Sequence, residues 1–217
     1  MGSAGPIRSC RTPSLALCGH LTHSAPRGRR SAGSVFRIID ILIVCTANRC
    51  RSPMAEVLLR HRLDERGVLA RVGSAGFLEA GLPAMDDAIA TMADSGYDLS
   101  GHRSRIVSVD MVNQADLVIT MSHDHAIELG VMVPDAWPRY FQIQDFLRRV
   151  DSTGWRRQGS PFSTWLKAVG GSRTRAGFLT ANREDDVADP VGQSRQQYEL
   201  TKCLLDELCT RLAAVLR

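Results

Sequence analysis

Cys45 and Arg51 close the two ends of a stretch that reads Cys45-Thr46-Ala47-Asn48-Arg49-Cys50-Arg51-Ser52-Pro53. A cysteine attacks as its thiolate, and a thiol at a helix start beside cations has its pKa lowered from about 8.5 to about 3.5–7.5. An arginine six positions on can fold back beside the sulfur when the loop between them is compact. Its planar fork of N–H donors then matches two oxygens of a phosphoryl group. The backbone N–H groups of Thr46, Ala47, Asn48, Arg49 and Cys50 can surround the same anion, and a helix start adds positive potential. Ser52 can donate a hydrogen bond to the sulfur and ease its departure in a second step. These residues point to phosphoryl transfer onto sulfur. Cys-x5-Arg by itself recurs by chance, so its weight comes from the elements on either side.

Those elements are legible. Ile38 to Val44 is a short β-branched apolar run and predicts a buried strand. Ser52 to Arg66 predicts a helix, with Ser52 as cap, Pro53 at the first helical position and Gly67 at the end. Strands are expected at Arg71–Ser74, Leu117–Met121 and Tyr140–Ile143, and helices over Pro83–Ser95 and from Ser122. Between Ser194 and Leu216, residues Thr201, Leu204, Leu205, Leu208, Leu212 and Val215 repeat at helical spacing on one face. Strands alternating with helices imply an α/β fold with a doubly wound parallel sheet covered on both faces. Ligands in such sheets sit beyond the carboxyl ends of the strands, where the Cys45 loop would lie. Residues 148–183, with many arginines, Trp155, Trp165 and Gly170-Gly171, read as a partly helical insertion.

The chain has 217 residues, is 44% hydrophobic and 23% charged, and carries a net charge of +4. This composition suits a globular domain of ordinary size. Its modest positive charge fits anionic ligands and argues weakly for nucleic acid, which is not expected as a partner. No apolar run approaches the roughly 18 residues of a membrane span, so no membrane insertion is expected. Residues 1–36 are rich in Ser, Gly, Pro and Arg and hold no acidic residue. They read as a disordered basic tail or an over-long gene start, although a transit peptide has a similar composition. Six cysteines at 10, 18, 45, 50, 203 and 209 lack the spacing of a disulfide scaffold or a zinc site. No metal and no cofactor is expected. His123 and His125 flank Asp124 without a third ligand nearby in sequence.

With these residues in view, Val44 to Glu56 resembles the low-molecular-weight protein tyrosine phosphatases, whose signature is Cys-x5-Arg-Ser-Pro near the start of the domain. Val72-Gly73-Ser74-Ala75-Gly76, Gly101-His102-Arg103-Ser104-Arg105, Ala115–Met121 and Asp189-Pro190 extend the resemblance over residues 38–217, apart from the insertion. The resemblance implies a four-stranded parallel sheet over 37–217, no metal and a phosphocysteine intermediate. It implies Cys45 as nucleophile, Arg51 as phosphate ligand and Asp189 as the acid that protonates the leaving oxygen and later activates water. Asn48 would hold a left-handed backbone conformation, supported by Ser52, Ser74 and His102. Cys50 resembles a cysteine that pairs reversibly with the nucleophile in some family members. The implied substrate is a phosphotyrosine-containing protein such as a bacterial tyrosine kinase, and the implied location is the cytoplasm.

Departures from the family pattern bear on the substrate. Arg49 stands where an apolar or small residue is usual and would border the pocket mouth, favouring acidic substrates. Ala47 replaces a common glycine. Val191 and Gly192 follow Asp189-Pro190 where aromatics are common, leaving Phe77 and Leu78 to supply an apolar wall. Asp185 and Asp186 read as solvated loop carboxylates. The alternatives are a protein arginine phosphatase, an arsenate reductase on the same scaffold, and a phospho-binding module with weak catalysis.

Overall fold

The computed structural model describes residues 38–157, 159–180 and 183–217. The basic segment 1–36 lies outside the described residues.

Strand β1 (Ile39–Val44) pairs in parallel with β2 (Ala70–Ala75) on one side and β3 (Leu117–Thr120) on the other, and β3 pairs in parallel with β4 (Tyr140–Gln142). The order is therefore β2-β1-β3-β4. The register puts Val44 opposite Ala75 and Thr120, and Thr120 opposite Gln142. All four strands thus end at one edge, and the loops that leave that edge meet.

Alternation along β1 explains how both faces are filled. Ile39, Ile41 and Ile43 join one buried cluster with Leu58 and Leu59 of α1 (Arg51–Asp64), Met92 of α2 (Asp86–Ala93) and Leu205 and Leu212 of α8 (Arg195–Val215). Leu42 and Val44 join a second with Val112 of α3 (Val109–Gln114) and Ala126 and Leu129 of α4 (His123–Met132). Leu58, Leu59, Leu205 and Leu212 are fully buried, each stabilising the fold by about 1.5–3 kcal/mol. On the predicted apolar face of α8 only Leu204 is half-buried, while Tyr198, Cys209 and Ala213 join the core.

Several boundaries differ from expectation for physical reasons. Helix α1 begins at Arg51, not after a Ser52 cap, and Cys50 precedes it with no capping side chain. The Ser52 hydroxyl is committed to the loop instead. Pro53 falls third in the helix, where its missing N–H costs nothing because first-turn N–H groups have no intrahelical acceptor. Helix α2 starts three residues later than expected because the Met85 N–H donates to the Arg49 carbonyl at 2.8 Å. Helix α3 is an addition, with Ser108 Oγ accepting from Met111 N–H.

The 148–183 segment also resolves into elements. Residue 148 falls inside α5 (Ile143–Thr153), which starts where β4 ends and buries Ile143, Phe146, Leu147 and Val150. Helix α6 (Phe162–Gly170) sets Trp165 edge-on to Phe146, ring centroids 5.9 Å apart. Helix α7 (Arg175–Leu179) places Phe178 in the second cluster.

Candidate active site

The loop from Cys45 to Cys50 leaves the central strand and enters α1. Its carbonyls are tied outward: Phe77 N–H to Thr46 O at 2.7 Å, His102 Nε2 to Asn48 O at 2.6 Å, and Met85 N–H to Arg49 O at 2.8 Å. The N–H groups of residues 46–50 have no protein acceptor among the described residues. They are left for the concave side of the loop, an anion cradle at the start of a helix.

Asn48 holds that shape. Its φ of 54° makes it the one non-glycine residue with positive φ among those described, and it is fully buried. Asparagine tolerates the left-handed region better than most residues. Its Nδ2 donates to Ser52 Oγ at 2.9 Å and Ser74 Oγ at 2.7 Å, while Oδ1 accepts from Arg105 N–H at 2.9 Å. Ser52 Oγ lies 3.0 Å from Cys45 Sγ; having accepted from Asn48, the hydroxyl has its one hydrogen to point at the sulfur. Ser74 passes its own hydrogen to the buried Glu56 carboxylate, which pairs in turn with Arg60.

Arg51 is 5% exposed, and its guanidinium is spread over the site. Nη1 donates to Val187 O at 3.1 Å, and Nη2 to Thr46 Oγ1 at 3.2 Å and to the Asp189 carboxylate. Nε is buried with no protein partner among the described residues. A donor left in that state costs about 1–3 kcal/mol unless something occupies it, so Nε is open to an acceptor from outside the chain. Asp189, more exposed, also accepts from Val191 N–H at 3.2 Å.

The structure thus gathers two hydrogen-bonded sets around one loop: Cys45, Ser52, Asn48, Ser74 and His102, and Thr46, Arg51 and Asp189. Ala47 contributes backbone on the same loop. Two loop side chains turn away. Arg49 Nε donates to Pro83 O at 2.8 Å. Cys50 points to Met54, Sγ to Sδ 3.9 Å, and burial reinforced by the charges of Asp189 and Cys45 pushes its thiol well up. Cys45 and Cys50 are both free thiols. Cys209 is buried against Ala55 O, its thiol also pushed up by burial. Asp185 and Asp186 are not solvated as expected: Arg148 holds the first, and His123 N–H and Gln142 hold the second.

Three residues had no place in the sequence reading of the site. Glu56 is the first. Gly76 is the second: a Cβ there would lie 2.6 Å from Asn48 N and 2.7 Å from Thr46 O, so only glycine lets β2 end against the loop. The third is His125, whose Nε2 lies 2.9 Å from Thr46 Oγ1, whose Nδ1 lies 2.9 Å from Ser122 Oγ, and whose ring stacks on Phe77. Burial, with the Arg51 charge, lowers its pKa from 6.5 to about 4.

That shift has a consequence for stability. Between pH 6.5 and about 4 the unfolded chain takes this proton and the folded chain does not, so stability falls as pH falls through that window. The loss reaches about 3 kcal/mol at most. His125→Gln should flatten this part of the profile, read as the urea midpoint at pH 7 and pH 4.5; an unchanged slope would assign the loss to other groups.

Residues 40–156 match the family model for low molecular weight phosphotyrosine protein phosphatases. The chain belongs to that family. It is 33% identical over 132 residues to a probable low molecular weight protein-tyrosine-phosphatase, EpsP, of Ralstonia solanacearum, covering 61% of this chain and 89% of that one. It is 28% identical over 180 residues to a protein-arginine-phosphatase of Bacillus subtilis, covering 82% and 97%. Among solved structures, the YwlE arginine phosphatase mutant with a phosphorylated active-site serine superposes with a TM-score of 0.62 at 26% identity, covering 81% and 94%. The fold and the phosphatase family are thus those implied by the Cys45 loop. Among the described residues, no helix is long and apolar enough to cross a membrane.

Proposed function

We propose that the chain hydrolyses phosphotyrosine on proteins through a phosphocysteine on Cys45. The observation that carries this reading is the buried Arg51 guanidinium, which links the Cys45 loop to Asp189 and keeps Nε unpartnered beside it. In the first step the Cys45 sulfur attacks phosphorus and the bond to the leaving oxygen breaks, with Asp189 giving that oxygen a proton. The loop N–H groups and Arg51 hold the three equatorial oxygens. In the second step Asp189 takes a proton from water, water attacks phosphorus, and the sulfur leaves, eased by the Ser52 hydrogen bond. No step needs a metal ion. Cys45, Cys50 and Cys209 are free thiols, as suits a reducing compartment, and we place the reaction in the cytoplasm. A bacterial tyrosine kinase is a partner of the right chemistry.

A second reading, protein arginine phosphatase, is favoured by the larger share of the chain that matches the Bacillus subtilis relative. We place it second because the more identical of the two relatives, at 33%, is a probable protein-tyrosine-phosphatase; Arg49, turned to the Pro83 carbonyl, does not decide between the two substrates. Purified protein with a chelator present should hydrolyse an aryl phosphate and a phosphotyrosyl peptide faster than a phosphoarginyl peptide. Asp189→Asn should slow the aryl ester by about 10²–10⁴-fold. Preference for phosphoarginine would reverse the ranking, and no turnover of any ester would leave the phospho-binding module.

A further inference from the structure

Residues 185–189 form a strap across the carboxyl ends of β3 and β4, and apart from Arg51 the groups that hold it have no part in the chemistry above. Asp186 Oδ1 accepts from the backbone N–H of His123 at 2.7 Å and from Gln142 Nε2 at 2.7 Å. His123 opens α4 just after β3, and Gln142 is the last residue of β4. One carboxylate oxygen therefore ties the strap to both strand ends. Val187 N–H continues the attachment, donating to Met121 O at 2.8 Å, while its carbonyl accepts from Arg51 Nη1 at 3.1 Å. On the other flank Asp185 takes two hydrogen bonds from Arg148, at 2.5 and 2.7 Å.

Two residues, Val187 and Ala188, separate Asp186 from Asp189, so the three Cα steps reach at most about 10 Å. Fixing Asp186 and Val187 therefore settles two things at once: where the Asp189 carboxyl stands, and where the carbonyl that aims Arg51 points. A carboxylate receiving two N–H donors makes a stronger clamp than a neutral acceptor, because hydrogen bonds to an ionised group are roughly twice as strong.

We propose that Asp186 is a positioning residue for the acid step, with Gln142 as its side-chain partner: it holds the strap so that Asp189 meets the leaving oxygen. The proposal rests on Asp189 being the acid, the reading given above. Loss of the clamp should then act on the proton delivered to the leaving group and spare binding.

The test compares kcat/KM for two aryl phosphates, one with a strongly acidic and one with a weakly acidic phenol as leaving group. A phenol that is already a good leaving group needs little protonation, so only the weakly acidic one reports the acid. Asp186→Ala should lower kcat/KM for the weakly acidic phenol ~10–100-fold, a fraction of the ~10²–10⁴ that general acid catalysis supplies, and for the acidic phenol less than ~3-fold. Asp186→Asn, which keeps an acceptor oxygen without the charge, should fall between and serves if the alanine variant is unfolded at the assay temperature. In an Asp189→Asn background, either change should add no further leaving-group dependence, since both act through one group. Equal losses on both esters, or additive losses in the double variant, would overturn the positioning role. An Asp189→Asn variant that responds equally to both leaving groups would overturn the acid assignment, and the positioning role with it; the single variants thus separate the two failures.

Discussion

Cys45→Ser is expected to abolish multiple turnover, a loss of about 10⁴–10⁶-fold, while leaving the fold and phosphate binding in place. The change removes little volume at a residue 3% exposed, in a loop whose shape is set by Asn48, Gly76 and the outward carbonyls and not by the sulfur. What it removes is the nucleophile. A hydroxyl at this point needs a base, and the groups around it do not supply one. Ser52 holds its hydrogen toward position 45, Arg51 only donates, and Asp189 is drawn onto Arg51. An oxygen is also a far worse leaving group than sulfur in the second step. Any phosphoryl group that does reach the serine should therefore stay there. The measurement is a long incubation with a phosphate ester, followed by product counting and the mass of the intact protein. At most one phosphoryl group per chain should be found, with a melting temperature close to wild type. Product in clear excess over enzyme would mean that Cys45 is not the attacking group.

How much of this was legible in the sequence depends on whether a residue acts through its neighbours in the chain or across the fold. The loop was legible because its strand, its cysteine, its asparagine and its arginine are contiguous, and contiguous residues reach one another whatever the rest does. Three of the strands were legible because each is a short β-branched or aromatic run, whereas β2 has only Val72 of that kind. Ser52 shows the limit. By spacing it is a helix cap, yet it lies inside α1 as its second residue, and the structure spends its hydroxyl on Asn48 and Cys45. His125 shows a further limit. It sits at the third position of a capped helix, and nothing local says that its ring will reach Thr46, 79 residues away. Gly76 carried a signal that could have been used, since a glycine ending a strand pattern marks close approach of another backbone. The stripe Ile143, Phe146, Leu147, Val150 likewise spelled out α5, but the arginines interleaved with it read as an insertion. Those arginines turn out to be partners: Arg148 and Arg149 both hold Asp145, and Arg148 reaches on to Asp185.

The same distinction explains why conservative changes at the centre of the site should be costly. Arg51→Lys keeps the positive charge and is expected to lower kcat by about 10²–10³-fold, the range found when one fixed donor to a developing anion is lost. The guanidinium faces three ways from one plane: Nη1 reaches Val187 O, Nη2 reaches Thr46 Oγ1 and Asp189, and Nε has no protein partner among the described residues and is open to an incoming oxygen. An ammonium is a point charge on a flexible stem and cannot serve all three directions at once. It would follow the strongest partner, the Asp189 carboxylate, and leave the phosphoryl oxygens. That carboxylate would then be held by a tighter ion pair when it should be giving its proton to the leaving group. Inorganic phosphate, which competes for the ground state and makes no bond to sulfur, should lose less affinity than kcat loses rate, because the loop N–H groups still hold it. The comparison is therefore kcat against the inhibition constant of phosphate for wild type and Arg51→Lys. Near-equal kcat in the two proteins would mean that charge alone suffices at this position, and that the fork aimed by Val187 is not what stabilises the transferring group.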